Sequence, residues 1–320
     1  MKIFFIGCAL FACARIFGQQ DSLNRELVKN NRYYSFIYEN DFFSATDRYY
    51  TQGVISELIL PVIKKSPFSK TLIRLNKNVQ NYYGLHFEQD CFTPISIRFD
   101  TLNRLERPFT GTFAVGHFLS SIDPVKKQRL NTQLDIGIIG PCAKCEEEQK
   151  GIHKGLDNIA PLGWENQLSQ DIVLNYSASY EKAIFSKEFI ELIGSADVRG
   201  GTLYDDLGGS LHLRFGKMNS YFKQLGIIKN AQVNKFQLFF TVKAKEKWVG
   251  YNATLQGGPF SSSIHEITAK NVSRAVFSSY FSVVLAYKRI SLEYARTYIT
   301  KEFVTGVDHG WGRCNITVCF

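Results

Sequence analysis

The most constraining feature of this 320-residue chain is how its apolar residues are spaced. Beyond a short run at the N-terminus, they never gather into the ~18–20 consecutive residues that a membrane-spanning helix requires. They alternate instead. Leu130, Leu134, Ile136 and Ile138 are interleaved with Asn131, Gln133, Asp135 and Gly137, and Leu211, Leu213 and Phe215 with His212, Arg214 and Gly216. Ile190, Leu192, Ala196 and Val198 alternate with Glu191 and Ser195. Phe277, Phe281, Val283, Leu285 and Tyr287 share one face of another segment, with Ser278 and Ser282 on the other. A period of two sends successive side chains to opposite faces of a strand. An outward lipid face and a polar lumen explain both sets at once.

Segments of this kind begin near 33, 49, 80, 110, 128, 170, 187, 209, 234, 274, 290 and 310. With 234–255 taken as one long strand, they predict an all-β, antiparallel up-and-down transmembrane barrel of about twelve strands, built as one domain. The Gly-Gly pairs at 200–201, 208–209 and 257–258 are expected at turns or kinks. Aromatic residues make up 14%, with 26 Phe and 16 Tyr, more than a chain without long apolar helices needs for a soluble core. Interfacial girdles of a barrel use rings in this way. The chain ends on Phe320 after an alternating segment, and a terminal aromatic resembles the assembly signal of bacterial outer-membrane barrels.

Residues 1–18 read as a signal peptide, with Lys2 as the positive n-region, Ile3 to Phe11 as the apolar core and Ala12-Cys13-Ala14 as the small-residue exit. Cleavage after Ala14 or near Gly18 fits equally, and residues 10–13 also have the look of a lipoprotein box. Residues 19–320 form the barrel domain. The formal charge of +9 becomes about +7 once Lys2 and Arg15 leave with the leader. A basic surface suits an anionic partner. The basic residues are scattered and no nucleic-acid motif is present, which leaves an acidic membrane or a phosphorylated glycolipid. Two excursions, 62–79 with Lys64, Lys65, Lys70, Arg74 and Lys77, and 91–109, are basic enough to touch phosphate groups. Five cysteines follow the leader: Cys91, Cys142, Cys145, Cys314 and Cys319. Cys142-x-x-Cys145 is half of a zinc site without a second half, so in an oxidising compartment a loop disulfide is the expectation.

Two blocks carry chemistry. The first runs from Glu39 to Gly53, where the aromatics Tyr34, Phe36 and Tyr38 lead into Asn40-Asp41 and Tyr50-Thr51-Gln52-Gly53 leaves the turn. Turns favour Asn, Asp and Ser by themselves; two strand ends set side by side can also aim several oxygens at one hard cation. The second block spans 136–168 and holds Gly140-Pro141, then His153, then Gly-Trp-Glu-Asn-Gln-Leu at 163–168. Glu146 to Ile152 has enough helix formers for a short helix over the barrel wall. His153 reads either as a solvated loop histidine or as a base acting near pH 7. No Gly-x-Ser-x-Gly elbow is present, which argues against the serine esterase plan.

Together the two blocks resemble the outer-membrane lipid A 3′-O-deacylase family, over most of the mature chain. The resemblance implies a bacterial outer-membrane enzyme that removes an ester-linked acyl chain from lipid A in the outer leaflet, as a monomer. It implies that His153 activates water and that Ca2+ is held by Asp41 with Asn40. Thr51 is either part of that site or barrel-wall filler. The family's acidic ligand after the histidine falls on Ile159 here, so a third ligand is sought in Asp157 or Glu165. Arg98 takes the place of the family's phosphate-binding basic residue. Trp164 is expected to anchor its loop or sit at the membrane interface, and Asp47 and Arg48 to shape their turn. A phospholipase A-type acyl hydrolase and a non-catalytic pore or transport barrel are the alternatives.

Overall fold

The structure is a computed structural model that describes residues 32–44, 48–76, 79–100, 103–223, 225 and 235–320; the leader at 1–18 and Asp47 lie outside them. Among the described residues, twelve antiparallel strands close into one barrel. They are β1 (Tyr33–Asn40), β2 (Tyr49–Ile59), β3 (Gln80–Thr93), β4 (Thr110–Asp123), β5 (Gln128–Ile139), β6 (Asp171–Lys187), β7 (Ile190–Gly201), β8 (Tyr204–Lys217), β9 (Phe236–Asn252), β10 (Ala275–Tyr287), β11 (Ile290–Ile299) and β12 (His309–Cys319). Each strand pairs with its sequence neighbours, and β1 closes the wall on β12 with Tyr33 opposite Cys319 and Asn40 opposite Gly312. Closure leaves no unpaired edge, which a bilayer demands of any sheet that spans it.

The alternation read from the sequence becomes the two faces of the wall. Phe277, Phe281, Leu285 and Tyr287 of β10 are exposed on the outside, while Ser282 is buried towards the lumen. Inside, charges pair across strands: Arg313 with Glu39 at 2.6 Å, Arg214 with Glu191 at 2.6 Å and Arg199 with Asp206 at 2.5 Å. One boundary differs from expectation. β8 starts at Tyr204, and Gly208-Gly209 lies inside it rather than at a turn. The glycines fit because a Cβ on Gly208 would sit 2.7 Å from the Glu246 carbonyl of the adjacent strand.

The connections distinguish the two ends. Short turns at 124–127, 188–189 and 288–289 share one end with the start of β1 and the end of β12; long loops at 94–109, 140–170 and 253–274 crowd the other. In outer-membrane barrels the long loops are extracellular and the short turns periplasmic. The long loops hold a helix α1 (Cys145–Gly155) and a single turn α2 (Ala253–Gln256). Among the described residues, no helix is long and apolar enough to cross a membrane.

Among the described residues, packed side chains sit at each end of the lumen. At the extracellular end Tyr49, Val249, Leu255, Val276 and Phe303 form one cluster. Beside it Arg107, fully buried, donates to Glu302 at 2.7 Å and to Thr254 Oγ1 at 2.9 Å. At the periplasmic end Ile59, Tyr82, Ile122, Ile193 and Phe222 form another. Between them lies a charged cavity of about 760 Å³.

Candidate functional site at the outer face of the extracellular rim

The alternation of β1 decides which way each candidate points. Glu39 faces the lumen, where it meets Arg313 and accepts from Tyr50 Oη at 2.6 Å. Asn40, the next residue, therefore faces outward. Its register partner on β2 is Gln52, whose partner on β3 is Cys91, whose partner on β4 is Gly111. These four make one outward row near the extracellular rim. Helix α1 is bolted onto this row by a disulfide between Cys91 and Cys145, with Cα atoms 5.6 Å apart. The expected loop disulfide thus joins the loop to the wall rather than Cys145 to Cys142, which remains an exposed free thiol. Gly111 is required under the helix, since a Cβ there would lie 2.9 Å from Cys145 Sγ and 3.0 Å from the Ala143 methyl.

The buried residues of α1 are Cys145, Gln149 and His153, spaced by four along one helical face. Cys145 ties to the wall, and Gln149 and His153 are buried with partners within the loop, while Lys150, Gly151 and Lys154 stay exposed. Gln89 Nε2 of β3 donates to the Ala143 carbonyl just before the helix at 2.8 Å, a second tie between this loop and the wall. His153 Nδ1 lies 2.6 Å from the Ile159 carbonyl. A carbonyl can only accept, so Nδ1 carries the proton and the imidazole lone pair lies on Nε2. Ile159 thus serves the histidine through its backbone.

The strand ends opposite are equally fixed. Asp41 is 2% exposed and opens a 3-10 turn, Asp41–Ser44. Its Oδ2 accepts the Arg48 N–H at 2.6 Å, which closes the turn. Asn40 Oδ1 accepts the Phe42 N–H at 2.7 Å, and its Nδ2 donates to Tyr38 Oη at 3.1 Å. Arg296 of β11 clamps the turn through the Phe43 carbonyl and Ser44 Oγ. Thr51 is the extra residue of a β-bulge between Tyr50 and Gln52, and it is buried. Bulges re-aim side chains beside functional sites.

The remaining candidates are more exposed. Asp157 sits just past α1 in a left-handed conformation (φ 51°), and it and Glu165 point to solvent. Arg98 is exposed on the 94–109 loop, one residue after Ile97, whose carbonyl accepts the Leu162 N–H at 2.8 Å. Trp164 is fully buried, packs on Phe109 with ring centroids 4.8 Å apart, and donates to Gln149 Oε1 at 2.8 Å. It anchors the loop and has no interfacial role. Gln149 escaped the sequence reading, although the four-residue spacing from Cys145 through Gln149 to His153 carries the signal.

Among the described residues, no group of three or more His, Cys, Asp or Glu is placed to hold a metal. The donors at the strand ends are instead one buried carboxylate, an amide oxygen and a hydroxyl. That all-oxygen set suits a hard ion such as calcium and is unsuited to zinc or copper.

The family model described as "Outer membrane protein LpxR" matches residues 3–320. LpxR from Salmonella typhimurium superposes with a TM-score of 0.74 at 18% identity, covering 90% of this chain and 100% of that one. The β domain of the Bordetella autotransporter BrkA covers 91% of this chain and 100% of its own at 11% identity, with a TM-score of 0.43. No curated protein matches at the sequence level. The whole-length family match, on a closed twelve-stranded barrel, shows that this chain belongs to the LpxR family of outer-membrane proteins.

Proposed function

We propose that this protein is an outer-membrane hydrolase that removes an ester-linked acyl chain from lipid A, the 3′-O-linked chain in the family it resembles. The observation that carries the proposal is the side of the wall on which the candidates lie. Asn40 and α1 are on the outer surface at the extracellular rim, with packed side chains at each end of the lumen behind them. A substrate that reaches this face comes sideways from the outer leaflet, so it is a lipid.

In this reading His153 Nε2 takes a proton from water as the water oxygen attacks the ester carbonyl. The imidazolium then returns the proton to the departing sugar alkoxide, leaving a free fatty acid and a sugar hydroxyl. Ile159 holds the tautomer that permits both transfers, and the Asp41 turn presents oxygens across from the helix. Asp41 and Asn40, with Thr51, would hold calcium, with Asp157 the nearest further carboxylate to the helix end. When bound, the ion supplies Lewis acidity at the ester carbonyl. Arg98 on the neighbouring loop would meet a sugar phosphate, as a guanidinium fork does well.

The packed clusters at each end of the lumen favour this reading over the pore alternative. The phospholipase alternative is separated by competition. Purified protein is given lipid A and a diacyl glycerophospholipid in the same mixed micelles, and the released fatty acids are identified by chain length. Release from lipid A alone supports the proposal; release from the glycerophospholipid alone replaces it with a phospholipase A activity.

A further inference from the structure

The basic excursion at 62–79 is not near the candidate site. It leaves β2 after Ile59, at the periplasmic end, and residues 60–76 lie as a strap across the outside of the barrel. Leu72 is buried against Tyr83 and Leu119, with Leu134 and Tyr176 alongside, all outward residues of β3 to β6. Polar ties fix it. Tyr176 Oη donates to the Thr71 carbonyl at 3.2 Å and accepts the Ile73 N–H at 3.1 Å. Thr132 Oγ1 donates to the Ile73 carbonyl at 3.0 Å, and Leu75 N–H donates to Ser121 Oγ at 3.2 Å. His117 Nδ1 donates to the Gly84 carbonyl at 3.0 Å, so its Nε2 accepts from Ser69 Oγ at 2.8 Å.

The outer surface of the strap is amphipathic. Val62, Phe68 and Ile73 are 59%, 50% and 59% exposed, towards where acyl chains lie. Lys64, Lys65, Lys70 and Arg74 are exposed beside them and line, with Tyr83 and Ser69, a cavity of about 570 Å³ that has no acidic residue in its lining. No ion pair recorded among the described residues involves any of these four cations. A segment with apolar residues in lipid and cations at the headgroup level is the physical form of an interfacial anchor.

We propose that the strap and the wall beneath it form an annular site for an anionic glycerophospholipid of the periplasmic leaflet, its phosphodiester seated among Lys64, Lys65, Lys70 and Arg74. Charge complementarity selects the headgroup and the periplasmic end selects the leaflet. The site is distinct from the candidate hydrolytic site and does not depend on it.

Full-length protein in detergent is titrated with phosphatidylglycerol, phosphatidylcholine or lipid A, and retained lipids are counted by native mass spectrometry. The expected result is preferential retention of phosphatidylglycerol. The quadruple variant Lys64→Gln, Lys65→Gln, Lys70→Gln, Arg74→Gln should weaken it by about tenfold or more. All four side chains are exposed, so the barrel should keep its heat-modifiable gel mobility. The pair Lys64→Gln, Lys65→Gln provides a milder version with a partial loss. Lys126→Gln with Lys187→Gln, cations elsewhere at the same end, should retain the lipid as wild type does. Equal retention of phosphatidylcholine, preference for lipid A, or wild-type retention by the folded quadruple variant would each overturn the proposal.

Discussion

At the scale of single residues, the proposed site rests on one tautomer and one turn. The Ile159 carbonyl fixes the proton on His153 Nδ1, so removing the imidazole removes the base and nothing that holds the barrel. His153→Ala should lower fatty-acid release from lipid A by about 10²–10⁴-fold with unchanged heat-modifiable mobility; a variant of undiminished rate would remove the histidine from the chemistry. Asp41→Ala should lose activity too, and EGTA should reproduce that loss in wild type. Activity indifferent to chelation would remove calcium. Asn40, Asp41, Thr51 and His153 are candidates in the sequence because they stand in order within a recognisable pattern. Gln149 was passed over, since a glutamine in a helix is ordinarily solvated; its spacing from Cys145 and His153 is the sequence signal, and its burial and its bond from Trp164 single it out in the structure. Ile159 was legible only as a missing acid, because a backbone carbonyl's role leaves no trace in residue type.

At the scale of elements, the strands were the legible part. Period-two alternation placed β1 to β5 at their observed starts because each has an apolar face in contact with lipid. It missed the start of β8 because Asp205, Asp206 and the Gly208-Gly209 pair look like a turn. In the structure Asp206 pairs with Arg199 inside the lumen. The Cys91–Cys145 link was also out of reach, since the two residues are 54 apart in sequence and only the closed wall sets them together. That link fixes where α1 docks. Cys91→Ser with Cys145→Ser, or mild reduction, should free the helix end and reduce lipid A hydrolysis by about tenfold or more, as misplaced catalytic groups do. Barrel mobility on gels should be unaffected. Full activity in the reduced protein would show that the loop holds its position through Trp164 and Phe109 alone.

At the scale of the whole molecule, the barrel carries both of its lipid-facing features on the outside, with an apolar cluster at each end of the lumen. Planar-bilayer recordings should show no conductance above the lipid baseline near neutral pH; steady unitary currents would revive the pore alternative. The Arg107–Glu302 pair beside the extracellular cluster is pH-sensitive. Burial raises the Glu302 carboxyl, but the charges of Arg107, His309 and Lys247 outweigh it and hold its pKa below the usual value. A carboxyl depressed on folding contributes its stability above the unfolded pKa and loses it as pH falls through the folded one. Acidification below the ordinary carboxylate range should therefore lower the unfolding temperature, and Glu302→Gln should blunt that dependence. At neutral pH the same substitution leaves Arg107 buried without its counter-charge, at a cost of about 3 kcal/mol.

The central claim is that a base and a carboxylate turn on the outer wall cut a lipid A ester. It is met most directly by the mass spectrum of lipid A from cells carrying the wild-type gene, His153→Ala or no gene. Wild-type cells should show lipid A lighter by one acyl chain and the other two the intact species. An identical acyl pattern in all three, with the protein folded in the outer membrane, would contradict it.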